Sequence, residues 1–169
     1  MKRIITAVIA AALALILSAC ASDSYLILNY ETKERMNDSL TFEMRDVPEL
    51  ENVIVYGAAD GQLGEIEYAF IHETKGEGTL TFRMAKADYA ERYSAAMQSP
   101  GIAGIEASAA DYTERLGAAT VTYYTAGSTV FAVWTLGDYA YSAAVSYNNK
   151  TVVPDRSDVY TFVISVIST

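Results

Sequence analysis

The fold is decided by residues 129–147, which read TVFAVWTL-GD-YAYSAAVSY. Two runs rich in β-branched and aromatic residues flank the dipeptide Gly137-Asp138. Such runs favour β-strands, and a Gly-Asp pair between them is typical of a tight hairpin turn. The stretch therefore predicts two antiparallel strands, Thr129–Leu136 and Tyr139–Tyr147.

Strand patterns continue upstream of this hairpin. Hydrophobic and polar residues alternate with a period of two in several runs, as expected of strands that bury one face. Short loops separate most of these runs, and short loops cannot carry parallel crossovers. We therefore expect an antiparallel meander, and we interpret residues 86–102 as a short helix or an ordered loop. The predicted upstream strands are Leu40–Arg45, Val53–Tyr56, Leu63–Ile71, Thr79–Ala85, Ile105–Tyr112 and Ala119–Tyr124.

The C-terminal segment changes to a helical period. A helix can begin near Pro154 and Asp155, and Ser157 or Asp158 can cap it. Spacing of i, i+3, i+4 and i+7 forms one apolar stripe along such a helix. Because the run is rich in β-branched residues, a final strand is the alternative. The residues of the stripe are Val159, Phe162, Val163, Val166 and Ile167.

Together these patterns predict one α+β domain over residues 40–169. Its architecture is a curved antiparallel β-sheet, a meander, covered on one face by a C-terminal α-helix. A chain of this length can bury a single adequate core. Most of that core is expected from Phe42, Ile66, Tyr68, Phe82, Val121, Val133, Trp134, Tyr141, Phe162, Val163 and Val166.

The N-terminus carries a targeting signal. Lys2 and Arg3 precede the apolar run Ile4–Leu17, which ends in small residues. This is the pattern of a secretory signal peptide, which we assign to residues 1–19. The alternative is an uncleaved anchor helix, but spanning a membrane needs roughly 20 apolar residues.

The end of this signal, Leu17-Ser18-Ala19-Cys20, resembles the lipobox of bacterial lipoproteins. The resemblance implies cleavage between Ala19 and Cys20 and acylation of Cys20 with diacylglyceryl and palmitate-type chains. The mature protein is then anchored by lipid to the extracytoplasmic face of the cell membrane. Residues 20–39 are predicted as a membrane-proximal tether, within which Tyr25–Leu28 is either an edge strand or a membrane-proximal segment. Cys20 is the only cysteine, so the chain forms no internal disulfide.

Charge excludes two classes of partner. Without Lys2 and Arg3 the mature chain has 10 basic side chains against 21 acidic ones, a net charge of −11. Nucleic-acid binding needs clustered Lys and Arg for phosphate contacts, so no nucleic-acid partner is expected. Anionic lipid head groups also repel such a body, which leaves the acyl chains to hold it at the membrane.

Five landmarks in the predicted strands follow one another in a familiar order: Phe42–Pro48, Glu65–Tyr68, Leu80–Lys86, Ala132–Thr135 and Tyr139–Ser142. With the terminal helix, this order resembles uncharacterised lipoproteins and anti-sigma-linked extracellular domains of Gram-positive bacteria. The family is known as domain of unknown function 4367. The resemblance covers everything after the predicted tether, and it implies no catalytic residue.

Residues able to do catalysis are scarce. His72 is the only histidine, which excludes a His-based nucleophile relay or a multi-His metal site. Glu65 and Glu67 lie two apart on one strand face. Paired carboxylates can serve glycoside hydrolysis, but neighbours of this kind also form solvated faces, and Arg83 is expected to pair with an exposed acid. We predict no catalytic residue, no metal and no cofactor.

Aromatic residues of the last hairpin give one candidate binding surface. Trp134, Tyr139 and Tyr141 form either an aromatic platform for a ligand or partner, or a cross-strand cluster beneath the final helix. The leading prediction is a non-enzymatic, lipid-anchored binding or interaction module with an envelope protein as a candidate partner. One alternative is a carrier that holds a lipid or another apolar ligand between sheet and helix. The other is an envelope hydrolase that uses carboxylates of the sheet face.

Overall fold

The computed structural model of the protein describes residues 25–45, 47, 50, 52–96, 101–102 and 109–169. The predicted signal peptide 1–19 lies outside the described residues, and so does its proposed cleavage and acylation site at Ala19 and Cys20. Within the described part of the chain, no helix is long and apolar enough to cross a membrane.

In these described residues, one open antiparallel sheet of eight strands forms the body of the fold. The spatial order is β1-β2-β3-β4-β8-β7-β6-β5, so β1 and β5 are its edges. The meander is confirmed, with one crossover from β4 to the far edge. The strands are β1 (Ile27–Tyr30), β2 (Ile54–Ala58), β3 (Leu63–His72), β4 (Gly76–Lys86), β5 (Tyr112–Leu116), β6 (Ala119–Ala126), β7 (Thr129–Leu136) and β8 (Tyr139–Tyr147).

Three helices accompany this sheet in the described residues: α1 (Lys33–Ser39), α2 (Ala87–Ala96) and α3 (Ser157–Ser168). The C-terminal helix α3 packs on β7 and β8, as predicted, and its Val159, Val163 and Val166 are fully buried. The C-terminal segment is therefore a helix, and the alternative prediction of a final strand is wrong. Burial of these three valines stabilises the packing of the helix on the sheet, because it removes their apolar surface from water.

The start of α3 is tied to the sheet on both sides. Asp155 Oδ1 accepts the Ser157 amide, and Asp158 Oδ2 accepts the Asp155 amide at 2.7 Å. Ser157 and Asp158, the expected caps, lie inside the helix, and the residue at the N-cap is Arg156, whose side chain makes no cap hydrogen bond. Asp158 also accepts bonds from Lys75 Nζ and from the Tyr147 hydroxyl, each at 2.7 Å. We call Lys75, Tyr147 and Asp158 the helix latch.

Most of the predicted core is buried on the face under α3. Phe82, Val121, Trp134, Tyr141, Val163 and Val166 are all at most 3 % exposed. Tyr68 and Phe162 are only partly buried, because they border a cavity beside α3. Val133 does not belong to this core: the register pairs it with Ser142 on the opposite face of the sheet.

Two predicted strands differ from the structure. Leu40–Arg45 is not a strand, because β1 already occupies the edge beside β2. The alternation still buries Phe42 and Met44, which pack into the core from an irregular segment. The strand predicted at Ile105–Tyr112 also fails in its described part, since 109–111 are irregular and β5 begins only at Tyr112.

Part of the predicted tether is built into the domain. Ile27–Tyr30 forms the edge strand β1, with Ile27 opposite Ala58, and α1 follows directly. Met36 of α1 is completely buried in the core. The folded body therefore extends to within a few residues of Tyr25, the first residue described.

Candidate functional site

The two faces of the sheet have different chemistry. The face under α3 is apolar, whereas the face under α2 carries a row of mainly polar side chains in register across the strands. That row includes Glu65, Arg83, Ser142, Val133 and Thr122. We call these surfaces the α3 face and the α2 face. The polar residues of the α2 face make it the candidate functional surface.

Helix α2 is fixed on this face by tyrosines. Tyr89 and Tyr93 stack on each other with ring centroids 6.0 Å apart, and Tyr25 packs against both. Burial is the main cause that raises the pKa of Tyr89, followed by the nearby charge of Asp60. The first turn is also held, because the Ala87 amide donates to the Asp138 carbonyl at 3.0 Å. The helix thus has a fixed position beside the last hairpin.

The short segment Gly101-Ile102 also packs on this face of the sheet. Arg83 donates to the Ile102 carbonyl at 2.9 Å, and Ile102 is 1 % exposed. Gly101 has a φ of +81°, and a Cβ there would lie 2.6 Å from Val133 Cγ1. Only glycine combines that backbone conformation with so close an approach to the sheet.

A groove of about 720 Å³ lies between these elements and strands β6, β7 and β8. This is within the usual range of ligand sites, which is roughly 300–1,000 Å³. We call it the α2 groove. The α2 side contributes Asp88, Glu91 and Ser94, and the sheet contributes Thr120, Thr122 and Thr135. Positions 87, 90, 91 and 94 share one side of the helix, which is why Glu91 and Ser94 face the groove, and Asp88 lies at the border of that side, three residues before Glu91.

Sequence reasoning did not identify these groove residues. The groove-facing positions of α2 follow i, i+3, i+4 and i+7 spacing. That spacing places residues on one face only in a helix, and for residues 86–102 the sequence predicts either a short helix or an ordered loop. The threonines are unremarkable as strand residues, and their convergence depends on β7 and β8 lying beside β4. That pairing is a long-range property of the strand order.

The predicted carboxylate pair lies elsewhere on the α2 face. Glu65 is 6 % exposed and accepts a charge-assisted bond from Arg83 Nε, so it is not a solvated surface acid. Burial, and then repulsion by Glu65, raise the pKa of Glu67, although Arg83 opposes the shift. One buried carboxylate is thus present, but neither glutamate lines any of the three cavities described here.

Two smaller cavities lie on the other face among the described residues. One of about 340 Å³ lies between the sheet and α3, with Tyr68, Phe70, Leu80 and Phe162 among its mainly apolar lining residues. Another of about 470 Å³ lies at the end of the last hairpin, next to Met44.

The three aromatic candidates are distributed around these cavities. Trp134 and Tyr141 stack with ring centroids 5.4 Å apart at 7°, and each is only 3 % exposed. Both residues border the α2 groove. Tyr139 is partly buried, packs on Phe42 and borders the third cavity together with Tyr141. The hairpin therefore presents no open aromatic platform at Trp134 and Tyr141.

His72 has a structural role in the β3–β4 turn. Its Nδ1 accepts the amides of Thr74 and Lys75, both at 3.2 Å, and its ring lies edge-on to Tyr147. Among the residues that the structure describes, no group of three or more His, Cys, Asp or Glu side chains is arranged to hold a metal ion.

The chain matches no protein-family model, no curated protein and no solved structure. Its resemblance to domain of unknown function 4367 stays a prediction that depends on the order of the five landmarks.

Proposed function

We propose that this protein is a non-enzymatic, lipid-anchored binding module on the extracytoplasmic face of the cell membrane, and that its ligand occupies the α2 groove. The groove is the observation that carries the binding role. It is concave, of ligand size, and walled by a helix and a sheet that are both fixed by packing. Rigid elements of this kind hold a binding site without reorganisation.

Two arrangements support a binding role rather than catalysis. Glu65 is held by Arg83 and does not border the groove, so it is not placed to exchange protons with a bound substrate. The ring nitrogen Nδ1 of His72 is engaged by two turn amides. Among the described residues that line the groove, Asp88 and Glu91 are the charged ones, and we assign them to ligand recognition.

Anchoring is supported by the lipobox and by chain geometry. From Cys20 to Ile27 the chain spans at most about 25 Å when fully extended. An acylated Cys20 would therefore keep β1 near the membrane, while the acidic body faces away from anionic lipid.

The anchor is tested by Cys20→Ser in cells of a lipoprotein-producing bacterium. The full chain should incorporate labelled palmitate and fractionate with the membrane, whereas the variant should carry no label and leave the membrane fraction. Ser22→Ala, two residues beyond Cys20, is the matched control and should behave like the wild type. A Cys20→Ser protein that stays membrane-bound with unchanged mobility would refute the anchor.

The cavity beside α3 favours a second function, that of a carrier for an apolar ligand. Its walls include Phe70, Leu80 and Val145 from the sheet and Phe162 from the helix. Contact with these side chains would remove an apolar chain from water, which is the main source of affinity for such ligands.

The carrier role predicts that closing the cavity abolishes binding of a fluorescent fatty acid. Thr161 is exposed and lines the cavity, so Thr161→Trp should obstruct it without changing the core. Ile164→Trp is the matched control, because Ile164 is on the exposed side of the same helix. Equal fatty-acid binding by both variants would remove the carrier hypothesis.

A further inference from the structure

We propose that the α2 groove binds the ammonium group of an alkylamine, either a free amine or the side chain of a lysine. This inference rests on the proposed binding function and specifies the chemistry of its ligand. The ionisable side chains that line the groove in the described residues are Asp88 and Glu91, since the ring of Tyr141 stacks on Phe82 on the α3 face, and no lysine, arginine or histidine is among them. The charge in the groove is therefore negative at neutral pH.

Both carboxylates are open to an incoming cation. In the described part of the chain, no basic group lies within ion-pair distance of Glu91. Asp88 Oδ1 accepts the Tyr89 amide at 2.9 Å, Asp88 Oδ2 has Arg92 at 3.9 Å, and the side chain is 81 % exposed. A pair at that distance and exposure contributes little, so a ligand ammonium competes with it easily.

Ser94 gives an independent indication of a ligand. Ser94 is among the residues that line the groove, it is only 9 % exposed, and within the described part of the chain its Oγ has no hydrogen-bond partner. Leaving a buried hydroxyl unpaired costs about 1–3 kcal/mol in typical proteins. A ligand N–H that donates to Ser94 Oγ would remove this cost.

The remaining walls fit an amine on a short apolar stem. Thr120 and Thr135 add hydroxyl oxygens that can accept further N–H bonds. Val133, which is only partly buried, lines the groove next to these polar groups and can contact methylene carbons. An ammonium offers three donors and no acceptor, which matches a site built of carboxylates and hydroxyls.

Other ligand classes fit less well. A phosphate or carboxylate would meet Asp88 and Glu91 with no cation among the lining residues described. Sugar rings usually stack on an exposed aromatic face, and Trp134 and Tyr141 are each 3 % exposed at this groove.

The proposal is tested by calorimetry on the full chain purified in detergent. The probe is 1,5-diaminopentane, with 1,5-pentanediol as the uncharged analogue of the same length. We expect the diamine to bind at least tenfold more tightly than the diol, and its affinity to fall with added salt. Equal binding of both probes, or no binding of the diamine, would overturn the proposal.

The source of the amine is separated by a peptide pair. An acetylated and amidated Gly-Lys-Gly peptide is compared with the same peptide acetylated on its lysine Nζ. Tighter binding of the unmodified peptide than of the free diamine assigns the groove to a lysine of a partner protein, and the reverse order assigns it to a small amine. Discrimination against the acetylated peptide supports the ammonium site in either case.

Variants locate the site. Glu91→Gln should weaken diamine binding at least fivefold, and Ser94→Ala about threefold, whereas Glu73→Gln on the distant β3–β4 turn should bind as the wild type does. Circular dichroism confirms that each variant is folded. Unchanged affinity in a folded Glu91→Gln variant would overturn the assignment. The anchor experiment with Cys20→Ser is independent, so a failed ammonium site and a failed membrane anchor give different results.

Discussion

The α3 face and the α2 face of one sheet use their helices differently. Under α3 the side chains are apolar and closely packed, as with Phe82, which is 1 % exposed and contacts Tyr141 and Phe162. Under α2 the sheet presents an ion pair and threonines, and part of the space between helix and sheet is a groove.

This difference indicates a division of roles between the faces. Burial of apolar area is the main stabilising contribution in folding, and most of it lies on the α3 face. The polar row of the α2 face contributes far less apolar burial, so its residues are free to serve recognition. Measurements of stability on each face can test that division.

The largest effect is expected from Phe82→Ala. Removal of a fully buried phenylalanine leaves a cavity and typically costs about 3–5 kcal/mol of unfolding free energy. Thr135→Ala, an exposed site on the α2 face, should change it by about 0.5 kcal/mol or less. Urea unfolding of the two full-length variants gives the comparison. Similar losses would mean that the faces do not divide stability as proposed.

Arg83→Met tests the one place where the α2 face should matter for stability. The change leaves Glu65 buried without its partner and removes a bond to the Ile102 carbonyl. Breaking a buried pair from one side costs about 3–5 kcal/mol, and we expect the lower end because Arg83 is 17 % exposed.

The double variant Glu65→Leu/Arg83→Met separates the pair from its surroundings. An apolar replacement of both partners is often neutral, so the double variant should recover most of the lost stability in urea unfolding. If it is as unstable as Arg83→Met, the bond to Ile102 is the more important contribution.

Asp158→Asn tests the helix latch on the α3 face. The carboxylate accepts bonds from Lys75 Nζ and the Tyr147 hydroxyl, and the Asp158 side chain is 3 % exposed. Hydrogen bonds to charged groups are each worth about 1.5–3 kcal/mol, so we expect a loss of about 2 kcal/mol in thermal or urea unfolding. Asp155→Asn is the control. Its side chain is 64 % exposed, and its loss should be clearly smaller.

The sequence was sufficient to predict those strands and helices whose residue pattern is local. Thr129–Leu136 and Tyr139–Tyr147 are strands with the predicted bounds, and α3 covers one face as predicted. In these segments period, turn residues and propensity agree. Alternation of apolar and polar residues was insufficient to predict a strand at Leu40–Arg45. Phe42 and Met44 are buried there, but the segment does not pair with a strand.

The groove was beyond sequence reasoning for a different reason. Ser94 and Thr122 are far apart in the chain and meet only because β5–β8 return to pair with β4. Glu65 was expected on a solvated face, but it is 6 % exposed and paired with Arg83, which also donates to the distant Ile102 carbonyl. No local periodicity encodes such contacts.

The smallest effect is expected from Glu67→Gln on the α2 face. Burial and the charge of Glu65 raise the pKa of Glu67 above its usual value of 4.5 in the folded state. The folded protein then binds more protons than the unfolded chain, so the contribution of Glu67 to stability falls as the pH rises from about 4.5 through the folded pKa. Glu67→Gln should remove this dependence.

The measurement is the difference in unfolding free energy between wild type and Glu67→Gln, taken at several pH values from 4 to 7. Because Glu67 is partly exposed, we expect the variant to gain about 0.5 kcal/mol or less at pH 7 relative to pH 4. Glu73→Gln, on an exposed turn, is the control for loss of one charge. A gain at Glu67 alone would mean that this acid is kept on the α2 face at a cost in stability, which is what a recognition surface predicts. A loss at pH 7 would instead place Glu67 among the stabilising residues and weaken the contrast between the two faces.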